Sequence, residues 1–172
     1  MIRAIFAIFV LFFISGCSFK HAFFKEDILE QKAIVWSQKG EIYNSLEIKA
    51  SIDSTYLNQV VSGFSDGENF IVGIHIDDDF EDDYKAGLNN PAYTLTLNGK
   101  KAIKVQKLDN QSELFKVVPF KKEWARYYLV KFANSNKKVL KLKLRSRDYG
   151  EKVLVFLAHE SGSDLILANL SR

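Results

Sequence analysis

Only one cysteine, Cys17, occurs among 172 residues. Without a second thiol the chain forms no internal disulfide, and Cys-based zinc clusters and Cys-x-x-Cys-His haem attachment are excluded. No Gly-x-Ser-x-Gly elbow, phosphate-cradling glycine loop or His-Glu-x-x-His helix is present, which removes the common hydrolase, nucleotide-binding and zinc-protease constellations. The chain has three histidines and neither a fixed-period repeat nor a low-complexity segment, against a propeller or solenoid. No basic stretch is interleaved with stacking aromatics, so nucleic acid is not an expected partner. A long amphipathic helix is also missing from the pattern.

The start of the chain carries a strong signal. Arg3 precedes an unbroken apolar run, Ala4 to Ile14, which gives way to Ser15 and Gly16. This is the anatomy of a secretory leader, because eleven apolar residues fall well short of the roughly twenty that a membrane-spanning helix needs. The leader ends in Ile14-Ser15-Gly16-Cys17, which resembles the lipobox of bacterial lipoproteins.

The resemblance covers the leader alone. It implies that residues 1–16 are cut away as a signal peptide, that the Cys17 thiol carries a diacylglycerol, and that the new amino terminus is acylated too. Two or three acyl chains exceed what stable membrane anchoring requires, and a lipidated thiol is no nucleophile. Ser18 after the cysteine fits, by the family's sorting pattern, an outer-membrane protein facing the periplasm. The mature domain is only loosely similar to small envelope lipoproteins with an immunoglobulin-like sandwich.

Removing the leader leaves 156 residues, enough for one domain with a real core. The expected organisation is a lipidated tether over 17–32, with one helical turn and with Phe23 and Phe24 docked on the domain, then a single β domain over 33–172. Ala33 to Trp36 reads as a short apolar strand. Leu46, Ile48, Ala50 and Ile52 alternate with polar residues, which predicts a half-buried strand with these four on one core face. Phe70 to Ile76 reads as a strand covered on both sides.

Tyr93 to Leu97, Asn98-Gly99 and Lys100 to Leu108 predict a hairpin, because Asn-Gly supplies the positive φ angles of a two-residue turn. Arg126 to Phe132, Val139 to Arg145 and Lys152 to Leu157 predict three further strands. Eight to ten short strands favour an all-β fold, an antiparallel β-sandwich of immunoglobulin-like architecture. The net charge of +3 hides an asymmetry: residues 18–115 carry −6 and residues 116–172 carry +8. Such halves either form a polar interaction surface or face each other and cancel.

Two stretches stand out as candidate sites. Six carboxylates crowd into Asp77 to Asp83. In an extended backbone Asp77, Asp79, Glu81 and Asp83 would share one face and suit Ca²⁺, whose ligands are hard oxygens. The run lacks the glycine and glutamate of an EF-hand loop, and a solvated acidic loop is the simpler reading of it. In Val139 to Arg145, Leu140, Leu142 and Leu144 alternate with Lys141, Lys143 and Arg145. That cationic face suits an anionic envelope surface or an acidic envelope protein, although lysines that protect an exposed strand edge would look the same.

For catalysis the inventory is thin, with His159 beside Glu160, Ser161 and Ser163 as its one local grouping. The function expected is therefore a membrane-anchored, noncatalytic binding or assembly component of the bacterial envelope. A calcium-dependent module using the acidic run is the alternative, followed by an envelope hydrolase.

Overall fold

The computed structural model describes residues 20–77, 82, 84–109 and 111–158, with side chains from residue 28 onward. Cys17, Phe23 and Phe24 as side chains, Asp79, Glu81, Asp83 and His159 lie outside what is described. Among the described residues no helix is long and apolar enough to cross a membrane.

The chain runs through helix α1 (Lys20–Val35), strands β1 (Ser37–Asn44) and β2 (Glu47–Tyr56), a single helical turn α2 (Leu57–Val60), and β3 (Glu68–Ile76). There follow β4 (Tyr93–Leu97), β5 (Lys100–Lys101), β6 (Lys104–Lys107), a 3₁₀ turn at Glu113–Val117, β7 (Arg126–Phe132), β8 (Val139–Ser146) and β9 (Gly150–Leu157). The strands form two antiparallel sheets, a five-stranded one in the order β1-β2-β3-β7-β6 and a four-stranded one in the order β5-β4-β8-β9. We refer to them as the large and small sheets.

Alternation explains how they stack. Ile52, Tyr56, Phe70, Val72, Ile74, Val130 and Phe132 of the large sheet are buried with Leu140, Leu142, Leu144, Leu154 and Phe156 of the small one. Phe70 sits at the centre, 4.9 Å from Tyr56, 5.3 Å from Phe156 and 6.0 Å from Phe132 between ring centroids, each pair contributing about 1 kcal/mol beyond area burial. The opposite face of the large sheet is covered too. Ile71 and Tyr127 there meet Ala33 of α1, Leu57 and Val60 of α2 and Val117 of the 3₁₀ turn, which makes β3 buried on both sides, as its sequence predicts.

Three expectations are corrected. The stretch expected to be a tether with one helical turn carries a sixteen-residue helix, and Ala33 to Trp36 is its end rather than a strand. Leu29, Ala33 and Trp36 follow the i, i+4, i+7 spacing and face the second core, while Ile28, Ile34 and Val35 are exposed. Apolar residues on both faces blur the helical period that would have revealed it.

In β2, Ala50 and Ile52 are buried but Ile48 lies on the surface, and Leu46 falls in the turn before the strand, 96% exposed. The pairing of Ile42 with Ala50 and of Tyr43 with Ile48 leaves Lys49 as an extra residue, a β-bulge. One inserted residue moves everything before it to the other face.

The Asn98-Gly99 turn forms as expected, with φ of 48° and 83°. Its second strand, however, pairs with β4 only through Lys100 and Lys101. The chain then crosses to the large sheet, where β6 pairs with β7.

Candidate functional site

The solvent face of the small sheet brings together the basic stripe predicted from sequence. Lys141, Lys143 and Arg145 alternate with the buried leucines of β8 and point away from the core. In cross-strand register Lys141 lies opposite Val155, Lys143 between Thr96 and Val153, and Arg145 between Thr94 and Glu151. Lys143 donates to both oxygens of Glu151, at 3.0 and 3.1 Å, so one carboxylate offsets part of the stripe.

Val139, Val155 and Leu157 are exposed on the same face. β8 lies between β4 and β9, so its lysines do not guard an edge. Lys100 and Lys101 on β5 and Lys104 and Lys107 on β6 do lie on edge strands, one edge of each sheet.

The acidic run is only partly described. Asp77 follows β3 and pairs with Lys49 at 3.1 Å, and Lys49 also meets Glu47 at 2.8 Å; the two carboxylates raise the Lys49 ammonium above its ordinary pKa. Asp82 accepts from the Tyr84 backbone at 2.8 Å. Among the described residues no three His, Cys, Asp or Glu side chains gather around one point.

A further site had no counterpart in the sequence reading. On the covered face of the large sheet, beyond the helical layer, Lys39 and Glu41 of β1 and Ser51 and Asp53 of β2 project together, with Lys122 arriving from the 118–125 segment. They line a cleft of about 270 Å³ with Tyr43 and with Lys152 of β9. Asp53 is 8% exposed. Its Oδ2 meets Lys122 Nζ at 2.7 Å, while its Oδ1 is buried with no hydrogen-bond partner.

The surrounding contacts hold this arrangement. The Lys122 backbone N–H donates to the Tyr127 hydroxyl at 2.8 Å, and the Tyr127 ring lies directly over Gly73, where a Cβ would stand 2.5 Å from it. Burial raises the Tyr127 phenol pKa. Lys122 Nζ also sits 4.7 Å from the Trp124 ring centroid, and Trp124 packs edge-on against His75 at 4.8 Å. Burial lowers the His75 imidazole below its ordinary pKa, against smaller opposing effects from Asp77 and a Trp124 backbone hydrogen bond.

Nothing in β1 marks this cleft in sequence, because its strand carries few apolar residues and Lys122 is far away along the chain. The available signal was the bare Gly40, across which the Lys152 side chain lies.

The chain matches no protein-family model, no curated protein and no solved structure.

Proposed function

We propose that this protein is a lipid-anchored component of the bacterial envelope that binds, without catalysis, an acidic envelope protein through the solvent face of its small sheet. The observation that carries this reading is the position of β8. An interior strand needs no protection against edge pairing, yet its outward positions hold Lys141, Lys143 and Arg145 beside exposed Val139, Val155 and Leu157. Cations beside apolar residues on one sheet face complement a carboxylate-bearing protein surface with its own apolar contacts.

The anchor rests on the leader, Ile14 to Cys17, and with it the signal-peptide cleavage and the outer-membrane, periplasm-facing location. We read the sandwich as immunoglobulin-like in architecture alone. Calcium binding by Asp77, Asp79, Glu81 and Asp83 is the second reading; it rests on carboxylate density in the sequence, and absence of heat on Ca²⁺ titration would dispose of it.

Two experiments test the main proposal. Cys17→Ala is expected to abolish lipid labelling and membrane retention; a variant that stays in the membrane with its leader attached would refute the lipid anchor. Lys141→Glu, Lys143→Glu and Arg145→Glu together are expected to abolish crosslinking to the partner in cells, and lysine substitutions in that partner's acidic patch to restore it. Undiminished crosslinking would remove the stripe from the account.

A further inference from the structure

We propose that the cleft over β1 and β2 is a second binding site, for an anionic saccharide: a single sugar ring carrying a carboxylate or a phosphate. It is independent of the face proposed above.

Charge comes first. Three ammonium groups, Lys39, Lys122 and Lys152, line the cleft with two carboxylates, Glu41 and Asp53, giving a net charge of +1. Asp53 is engaged by Lys122, and Glu41 accepts from the Tyr43 hydroxyl. Lys39 and Lys152 form no ion pair with a described carboxylate. Lys39 instead lies 5.4 Å from the Phe120 ring centroid, and Lys152 folds across β1 at Gly40. An anion placed between these two lysines completes the site, and both reach it on flexible stems.

Hydrogen bonding then points to hydroxyls. Asp53 Oδ1 is an acceptor buried without a donor, a condition that destabilises a charged group more than a neutral one. A ligand hydroxyl supplies the missing donor, and Ser51 adds a further polar group on the same wall. The Lys122 side chain, 27% exposed, is more accessible than the Asp53 side chain at 11%.

Shape and aromatics set the size. About 270 Å³ is close to the lower end of small-ligand sites, about 300 Å³, and holds one ring rather than a chain of them. Tyr43 in the wall is about half exposed, offering an apolar face against which the C–H face of a sugar packs. A bare inorganic anion would leave both the Tyr43 ring face and Asp53 Oδ1 without a partner.

The test is an amide NMR titration of the full-length chain in detergent with glucuronate, glucose 6-phosphate, glucose and inorganic phosphate. Either anionic sugar is expected to shift the resonances of residues 39–43, 51–53 and 122, with a dissociation constant of about 1 mM or tighter. Glucose and inorganic phosphate should each bind at least about tenfold more weakly, the equivalent of one lost charged or polar contact.

Lys39→Gln with Lys152→Gln should weaken the anionic sugar by about tenfold or more, whereas the triple reversal of Lys141, Lys143 and Arg145 should leave its binding unchanged. No shift with either anionic sugar, equal binding of inorganic phosphate or of glucose, or unchanged affinity in the Lys39/Lys152 variant would overturn the proposal. Because the triple reversal separates the two faces, failure here does not count against the β8 reading.

Discussion

At the scale of single residues, the buried polar groups carry the sharpest consequences. The Tyr56 hydroxyl donates to Glu68 Oε2 at 2.6 Å, and the Ser135 N–H donates to Glu68 Oε1 at 2.9 Å. Glu68 is therefore satisfied although 5% exposed, and burial with this carboxylate raises the Tyr56 phenol pKa. Tyr56→Phe removes one donor and leaves the carboxylate oxygen buried, so it is expected to cost about 1–3 kcal/mol, read as a lower urea midpoint with an unchanged slope. Gly73→Ala is expected to destabilise by a similar amount, about 1–3 kcal/mol. Its new methyl meets the Tyr127 ring and not a movable chain end.

His75 gives a pH dependence of definite sign. Its folded-state pKa is lowered by burial, so just below the ordinary value of about 6.5 the unfolded chain binds the proton more readily. The contribution of His75 to stability is then complete above about pH 6.5 and is lost as pH falls through the folded value. Melting temperatures of the wild type and of His75→Gln, compared between about pH 7.5 and 5, should show a shallower decline on acidification in the variant. Parallel curves would refute the assignment.

At the scale of elements, the two-residue turn and the bulge decide where chains go. Asn98 and Gly99 both take positive φ, and Asn98 Oδ1 accepts from the Lys141 N–H at 3.1 Å, which ties the turn to β8. Gly99→Ala is expected to cost about 1 kcal/mol or more from its left-handed backbone alone, measurable by chemical denaturation, with no change in the surface of the small sheet.

The same elements show what could be read from the sequence. β3, β4, β7, β8 and β9 were legible because their period-two or continuously apolar patterns are local. β1 was not, since Ile42 is its only buried apolar side chain. The fate of Ile48 is hidden by a single extra residue, Lys49, that no periodicity reports, and Leu46 falls in the β1–β2 turn. α1 was obscured by the exposed Ile34 and Val35. The Asp53–Lys122 pair joins β2 to a segment beyond β6, a contact fixed only by tertiary packing. The basic stripe was legible, but its meaning was not: whether lysines guard an edge or present a surface depends on strand order.

At the scale of the molecule, the charge asymmetry acquires a direction. The strongly basic chain half supplies β8 and β9 as well as β7 of the large sheet; its Lys122 and Lys131 pair with Asp53 and Asp66 of the acidic half, while the two sheets meet through apolar side chains. Lys141, Lys143 and Arg145 therefore remain on the solvent face, with Glu151 as the described carboxylate that pairs with the stripe. The helical layer lies on the other side of the sandwich. A chain lipidated at Cys17, close before α1, would enter the domain on the side opposite the basic face.

The most direct measurement of this account is site-specific photocrosslinking in living cells from Thr96, which neighbours Lys143 on the small sheet. The account predicts a crosslink to an acidic envelope protein that disappears when Lys141, Lys143 and Arg145 are reversed and returns when the partner's acidic residues are reversed in turn. Crosslinks that survive the reversal unchanged, or none from this face at all, would contradict it.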